Sequence, residues 1–314
     1  MRPLRIGTRG SALALWQARA VAEGLERTGV AAELVIITTR GDAKQDVPLA
    51  AIGGKGVFVT EIHDALRREE IDLAVHSAKD MAAVSPEGLT IAAVLPREDA
   101  RDALIFPLRG VAQPFRAAIS DGVAQPFGAA PSVIGTGSPR RIAQLRRTYP
   151  HARFESIRGN VDTRLRKLDA GEVDMLVLAC AGLRRLGLSD RISAPLAIAE
   201  CVPAPGQGII AIEVRADDER TRGAVAALND PDARTALAAE QAVVAALGGG
   251  CQLPLGVFAE LRRNDLAIRA VAASLDGSRI VHGEAAGNSA AAIETGTRLA
   301  QDLASRGAME LLHS

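Results

Sequence analysis

The sequence predicts an α/β protein: two similar α/β lobes facing a common cleft, then a small C-terminal α+β domain. Three observations carry this. Short apolar strands alternate with amphipathic helices through the first two thirds of the chain, the pattern of sheets flanked by helices. The first half's pattern then returns: Ile134-Gly-Thr-Gly-Ser138 echoes Ile6-Gly-Thr-Arg-Gly-Ser11, and Val173-Asp-Met-Leu-Val-Leu-Ala-Cys-Ala-Gly182 echoes Ile71-Asp-Leu-Ala-Val-His-Ser-Ala-Lys-Asp80. The last stretch reads instead as strands at 256–261, 266–274 and 279–286, with an Asp276-Gly277 hairpin turn joining the last two. A terminal helix from about 289 turns Ile293, Leu299, Ala300 and Leu303 inward. The expected division is residues 1–100 with 203–224 as the first lobe, 101–202 as the second, and 225–314 as the C-terminal domain.

The 314 residues suffice for two or three cores. Lys plus Arg and Asp plus Glu are both 37, so bulk charge does not select a nucleic-acid partner. Aromatics at 3% leave little for a base-stacking surface. Three cysteines without close pairs fit free thiols in a reducing compartment. No metal-ligand spacing is found and the five histidines are scattered, so no metal is expected. The chain enters a strand at once and has no apolar run long enough for a membrane. A cytoplasmic protein is expected.

Leu4 to Thr8 is the first strand. Ser11 caps a helix in which Leu15, Ala18, Ala22 and Leu25 repeat at helical spacing, closed by Gly29. Arg9 and Ser11 therefore sit where a helix start can meet an anion, although a capped helix with a solvated Arg explains them equally. A second strand spans 33–39. Gly53-Gly-Lys-Gly56 is not a P-loop; it reads either as a flap bringing Lys55 to a ligand or as a plain surface loop. A helix presenting Phe58, Ile62, Ala65 and Leu66 leads into a strand at Ile71, Leu73 and Val75. That strand runs into His76, Ser77, Lys79 and Asp80. In open α/β sheets ligands sit beyond the carboxyl ends of strands, which makes Lys79 and Asp80 candidates for chemistry. A loop ion pair is the other reading.

Strands at 90–95 and 103–106 precede a Pro/Gly-rich linker in which Val111-Ala-Gln-Pro-Phe115 recurs as Val123-Ala-Gln-Pro-Phe127. The second lobe is basic at its loops. Ser138-Pro-Arg-Arg141 has a capping Ser, Pro at the first helical position and two guanidinium forks, which suits a carboxylate or phosphate. Arg158-Gly-Asn160 ends a strand, with Arg164 one turn on; Arg184 and Arg185 follow a strand ending near Ala181. One Arg at a helix start is usually solvated surface; several at loop ends predicted to share a cleft favour a multi-anion site over that reading. Ile209 to Val214 is a strand that can rejoin the first lobe, and 218–247 is mostly helical. In Gly248-Gly-Gly-Cys251 the glycines leave the sulfur of Cys251 accessible, whereas Cys180 lies in an apolar run as a core residue.

Seven ordered segments together resemble the porphobilinogen deaminase family: Gly7-Thr-Arg-Gly-Ser-Ala-Leu-Ala-Leu-Trp-Gln17, Thr39-Arg-Gly-Asp42, Gly53-Gly-Lys-Gly-Val-Phe58, Val75-His-Ser-Ala-Lys-Asp80, Ser138-Pro-Arg-Arg141, Arg158-Gly-Asn160 and Gly249-Gly-Cys-Gln-Leu-Pro254. The resemblance implies two lobes like those of periplasmic anion-binding proteins and a small domain bearing a Cys. It implies a transferase that joins four porphobilinogen units head to tail, releases ammonia each time, and yields 1-hydroxymethylbilane. Its primer is a dipyrromethane held by a thioether, here to Cys251. Asp80 matches the catalytic carboxylate. Arg9, Ser11, Lys55, Lys79, Ser138, Arg140, Arg141, Arg158, Arg164 and Arg185 match the cofactor- and substrate-binding set, and Lys55 with Phe58 the flap. The porphobilinogen ring carries an acetate and a propionate, so a growing chain is polyanionic and suits arginine forks. Porphobilinogen is the expected partner, with no nucleic acid or membrane, and a monomer is expected. Met81-Ala82 after Lys-Asp, Gly137, Pro139 and the duplicated linker depart from the family pattern. A transport-type anion receptor would leave Gly-Gly-Gly-Cys unexplained, and a ligand-sensing regulator would need a DNA-binding helix pair that the sequence lacks.

Overall fold

The computed structural model describes residues 2–39, 59–108, 131–249 and 253–313. The first sheet contains β1 (Leu4–Thr8), β2 (Ala32–Ile36), β3 (Leu73–Ser77), β4 (Leu89–Val94) and, much later in the chain, β10 (Ile210–Arg215), in the order β2-β1-β3-β10-β4. The second contains β5 (Asp102–Ile105), β6 (Val133–Gly135), β7 (Arg153–Glu155), β8 (Met175–Ala179) and β9 (Ala194–Pro195), in the order β7-β6-β8-β5-β9. The two orders are the same arrangement. In each, the lobe's first strand is flanked by two parallel partners, and a strand arriving from the other lobe's side of the chain enters antiparallel as fourth. β5 leaves the first lobe to complete the second; β10 returns to complete the first. The chain therefore crosses between lobes twice, at 95–101 and at 196–209.

The echo in sequence has a physical basis at the strand starts. Asp72 accepts from the backbone N–H of Arg5 (2.9 Å), and Asp174 accepts from those of Ser132 and Val133 (both 2.9 Å). Each Asp thus ties the third strand to the beginning of the first. Gly7 of β1 and Gly135 of β6 have no room for a side chain, because Ile71 and Leu176 respectively fill the space.

Helices cover the sheets. α1 (Ala12–Arg27) buries Ala18, Val21, Ala22 and Leu25 against β1, β3 and β10, which follows from their helical spacing. α2 (Thr60–Arg67) packs Ile62, Ala65 and Leu66 on the opposite face with Ala74 and Leu89. In the second lobe, α3 (Pro139–Leu145) lies on one face with Ile134, Met175 and Val177, while α4 (Val161–Asp169) and α5 (Cys180–Arg185) lie on the other with Leu176 and Leu178. α6 (Glu219–Val225) returns Val225 to the first lobe's core. α7 (Pro231–Ala246) has a double allegiance: Ala233 and Leu237 pack on the first lobe, while Ala236, Ala239, Val243 and Val244 enter the C-terminal core. That core is closed by β11 (Leu255–Arg262), β12 (Asp265–Ala273) and β13 (Ile280–Asn288), an antiparallel meander, with α8 (Ala292–Ser305) and α9 (Ala308–His313).

Several expectations shift. β2 stops at Ile36 rather than 39, because its partner β1 ends at Thr8, opposite Ile36. β7 stops at Glu155, opposite Gly135, so Arg158 and Gly159 lie in the connection to α4. β3 starts at Leu73 and extends through Ser77, since β10 pairs it that far. Arg184 and Arg185 lie within α5, not after a strand in a loop. Ile293 is 63% exposed: the buried stripe of α8 is Ala292, Thr295, Gly296, Leu299, Ala300 and Leu303, and residue 293 falls outside it. Ser138 is the N-cap of α3 but its hydroxyl makes no capping bond, whereas Ser11 accepts from Ala14 N (3.3 Å). The duplicated linker lies outside the described residues.

Candidate active site

β3 ends in a single 3₁₀ turn, Ala78–Asp80, facing outward from the sheet. Ala78 N is held by Ile209 O (3.0 Å). Gly206, at φ +72°, comes so close that a Cβ there would lie 2.9 Å from the carbonyl carbon of Ala78 and 3.0 Å from Lys79 N. The turn is therefore held by the second crossover. Gly206 N in turn donates to Glu240 of α7 (2.6 Å). On this support Asp80 is exposed and Lys79 half-buried. Burial pulls Lys79 down to about 8; Asp80 resists the shift, and Arg141 and Arg140 add to it.

Opposite stands the start of α3. Asp102, at the first position of β5 and fully buried, takes both of its arginines. Arg141 donates to Asp102 Oδ1 through Nε (3.0 Å) and Nη2 (2.7 Å), and Arg140 Nη1 lies 2.7 Å from Oδ2. Gln207 Nε2 donates to the same Oδ1 (2.9 Å). Burial acts to raise the Asp102 carboxyl, but Arg140 and Arg141 hold it well below the ordinary carboxylate range. Arg141 spends its remaining Nη1 on Val177 O (2.9 Å), and Arg140 Nη1 also meets Val202 O (2.7 Å). The Nε of Arg140 is buried with no hydrogen-bond partner among the described residues. Arg164 donates Nε to Gly159 O (2.8 Å). Burial lowers it to about 10, with Arg141 and Arg158 acting the same way and Asp80 opposing, so these four charges share one field.

Between the two walls lies a cleft of about 610 Å³ including its open mouth. It is lined by Ala78, Lys79 and Met81 of the first lobe, Ser138 and Arg140 of the second, Pro205 of the crossover, and Leu237, Leu253 and Leu255 of the C-terminal domain. All three parts of the molecule meet there. Lys79, Ser138 and Arg140 line the cleft, and Asp80, Arg141, Arg158 and Arg164 act on its charges from nearby. Arg185 is turned aside: it is buried, donates to Gly208 O (2.6 Å) and lies 5.8 Å from the Trp16 ring centroid, latching α5 to the crossover. Burial lowers it to about 10. Ser11 is occupied as a helix cap and Arg9 sits beside it in the turn after β1. Lys55, Phe58 and Cys251 lie outside the described residues. Cys180 and Cys201 are buried, and burial pushes both thiols up to about 12, which disfavours the reactive thiolate.

Sequence reasoning missed Asp102, Gln207 and Glu240. Glu240 is fully buried and ties Arg97 (2.6 Å), Gly206 N and Ala259 N (2.7 Å) together, joining the first lobe, crossover and C-terminal domain. The available signal was a carboxylate inside an apolar stretch: Asp102 before Ala-Leu-Ile, Glu240 within an alanine-rich helix.

Cations on both walls and an unpaired buried guanidinium nitrogen define a site for an organic polyanion, beside one exposed carboxylate: a binding cleft equipped for proton chemistry. Family comparison agrees. Residues 4–223 match the porphobilinogen deaminase dipyrromethane cofactor binding domain, and residues 235–305 match the porphobilinogen deaminase C-terminal domain. Porphobilinogen deaminases from two strains of Acidithiobacillus ferrooxidans are 45% identical over 311 residues, 98% of this chain and 97% of theirs. The chain belongs to the porphobilinogen deaminase family. Among solved structures it is similar to a periplasmic substrate-binding protein of an ABC transporter from Coxiella burnetii (TM-score 0.42, 14% identity, 74% of this chain and 94% of that one). It is also similar to the VFT2 domain of Bordetella pertussis BvgS (TM-score 0.41, 16% identity, 72% and 86%). No helix among the described residues is long and apolar enough to cross a membrane.

Proposed function

We propose that this chain joins four porphobilinogen molecules head to tail with release of ammonia, giving 1-hydroxymethylbilane, and that its residues divide the work between the two walls of the cleft. The observation that carries the reading is the exposed Asp80 facing a field of Lys79, Arg141, Arg158 and Arg164. The donor set fits a dipyrromethane, whose carboxylates need cations and whose rings need apolar contact: Lys79, Ser138 and Arg140 in the lining, with Arg158 and Arg164 nearby, would hold the acid groups, and Leu237 and Leu253 would cover the rings. When bound, that primer supplies the nucleophilic pyrrole carbon for chain growth. Cys251 is its thioether anchor.

Loss of ammonia from porphobilinogen makes its methylene carbon electrophilic and spreads positive charge onto the pyrrole nitrogen. The Asp80 carboxylate stabilises that charge and moves the proton released after carbon–carbon bond formation. Arg140 and Arg141, fixed on Asp102, keep the second wall in place and offer what donors remain. Arg9 adds a further cation beside the first wall, and Lys55 and Phe58 belong to the flap in this reading. The first lobe comprises 1–100 with 203–224, the second 101–202 and the Cys-bearing domain 225–314. The enzyme works as a cytoplasmic monomer.

Intact mass of the purified chain under denaturing conditions, with peptide mapping, is the test. The expected result is an addition of two porphobilinogen units less their ammonia, located on Cys251 and missing from a folded Cys251→Ala variant. An unmodified mass that persists after incubation with porphobilinogen would refute the reading.

A further inference from the structure

A second cluster of functional groups lies outside the cleft. His63 on α2, His76 on β3 and Glu213 on β10 bring two imidazole nitrogens and a carboxylate oxygen within 4.8 Å of one another. His63 Nε2 is 2.9 Å and His76 Nε2 3.3 Å from the same Glu213 Oε2. Glu213 is 0% and His76 5% exposed; only His63 reaches the surface, with 12% of its side chain.

Such short separations normally mean hydrogen bonds. Here neither Nε2 and neither Glu213 oxygen meets a partner with hydrogen-bond geometry among the described residues. A buried group normally avoids that, since an unsatisfied polar atom costs free energy. Two nitrogens and an anionic oxygen converging on a common point are instead the arrangement of a coordination sphere. With metal–ligand bonds of about 2.0–2.1 Å, the edges of a tetrahedron are about 3.3 Å; the two nitrogen–oxygen edges are 2.9 and 3.3 Å, and all three ligand atoms lie within 4.8 Å of one another. Two imidazoles select a transition cation over calcium or magnesium, which take oxygen ligands. The three carriers are independently fixed: α2 by Ile62, Ala65 and Leu66, β3 and β10 by pairing with each other.

We propose that His63, His76 and Glu213 form a three-ligand site for a divalent transition cation of the zinc type, fastening α2 to the strand that carries the Lys79–Asp80 turn. His63, on the open side, leaves the fourth position to water. The site lines no part of the cleft, so its role is to hold β3 and α2 together. It does not depend on the residue roles proposed above.

The test uses the full chain with its primer, stripped by chelator and then given zinc chloride, or cobalt chloride as a coloured probe. One equivalent of zinc should raise the thermal midpoint by at least about 3 °C when in large excess over its dissociation constant. Cobalt should give visible bands of a tetrahedral nitrogen and oxygen site without a sulfur charge-transfer band. His63→Gln and His76→Gln should each weaken binding at least ten-fold and abolish the midpoint rise, while metal-free His63→Gln keeps the turnover of the metal-free parent. If His76→Gln does not fold, His63→Gln, nearer the surface, carries the comparison. Absence of binding to the parent, a sulfur-ligand band, or binding unchanged in His63→Gln would each overturn the proposal.

Discussion

The third strands of the two lobes, β3 and β8, begin alike and end differently. Each is preceded by an Asp that ties it to its lobe's first strand, and each ends where a ligand is expected. β3 then delivers Lys79 and Asp80; β8 delivers Ala181 and Gly182 at the matching positions. The helix starts reverse the distribution. After Ser138 the second lobe presents Arg140 and Arg141, where after Ser11 the first lobe has Leu13 and Ala14. At these matching positions the first lobe carries its charges in the turn after β3, the second at the helix start after β6. The neutral ends serve contact: Leu13 lies against Gly182, where a Cβ would be 3.6 Å away. A duplicated layout thus yields one asymmetric cleft, with an exposed acid on one wall and arginines clamped by a buried acid on the other.

The two acids should fail differently. Asp102→Ala leaves two buried guanidinium groups without their counter-ion and should cost about 3–5 kcal/mol of stability. Denaturant or thermal melts read this, and an unchanged midpoint would deny Asp102 its place in the second wall. Asp80→Asn should leave the melt near that of the parent and retain the primer by mass, but lower kcat about 10²–10³-fold. A variant with near-normal kcat would remove Asp80 from the chemistry.

Lys79 sharpens the comparison through pH. Its amine is charged below about 8 and neutral above. The charged form attracts carboxylates, so kcat/KM should decline as pH rises through about 8, mainly through KM. Lys79→Arg stays charged and should move the decline upward; the same decline in both proteins would assign it to another group. The smallest effect separates the two serines. Ser11→Ala loses a real cap and should cost about 1 kcal/mol. Ser138→Ala removes no capping bond, so its melt should match the parent while KM rises; equal melting losses would contradict the difference in cap geometry.

Much of this was legible because it is local. The spacing of Ala18, Ala22 and Leu25 makes α1 amphipathic wherever it packs, and Ser11 caps it from within the same turn. Asp276-Gly277 bends a hairpin without help from the rest of the chain; Gly277 has the positive φ such a turn needs. The Lys79–Asp80 turn was readable because charged residues directly after a buried strand need an opening. Ile293 misled because an apolar residue at a helix start carries no information about which face the rest of the molecule covers. Arg185 misled similarly, since a cation in sequence says nothing of whether its partner is a ligand or the Gly208 carbonyl.

By itself the sequence determined the strands and helices, the doubling of the lobe and the motifs that mark the family, because propensity, capping and periodicity act over a few residues. Tertiary structure alone decided that β5 and β10 change lobes, that Asp102 holds both arginines, that Glu240 joins three parts of the chain, and that His63, His76 and Glu213 meet. Each of those contacts joins residues from separate elements. Only closure of the sheets and exclusion of water bring such groups together, and only then does burial decide which charges need one another.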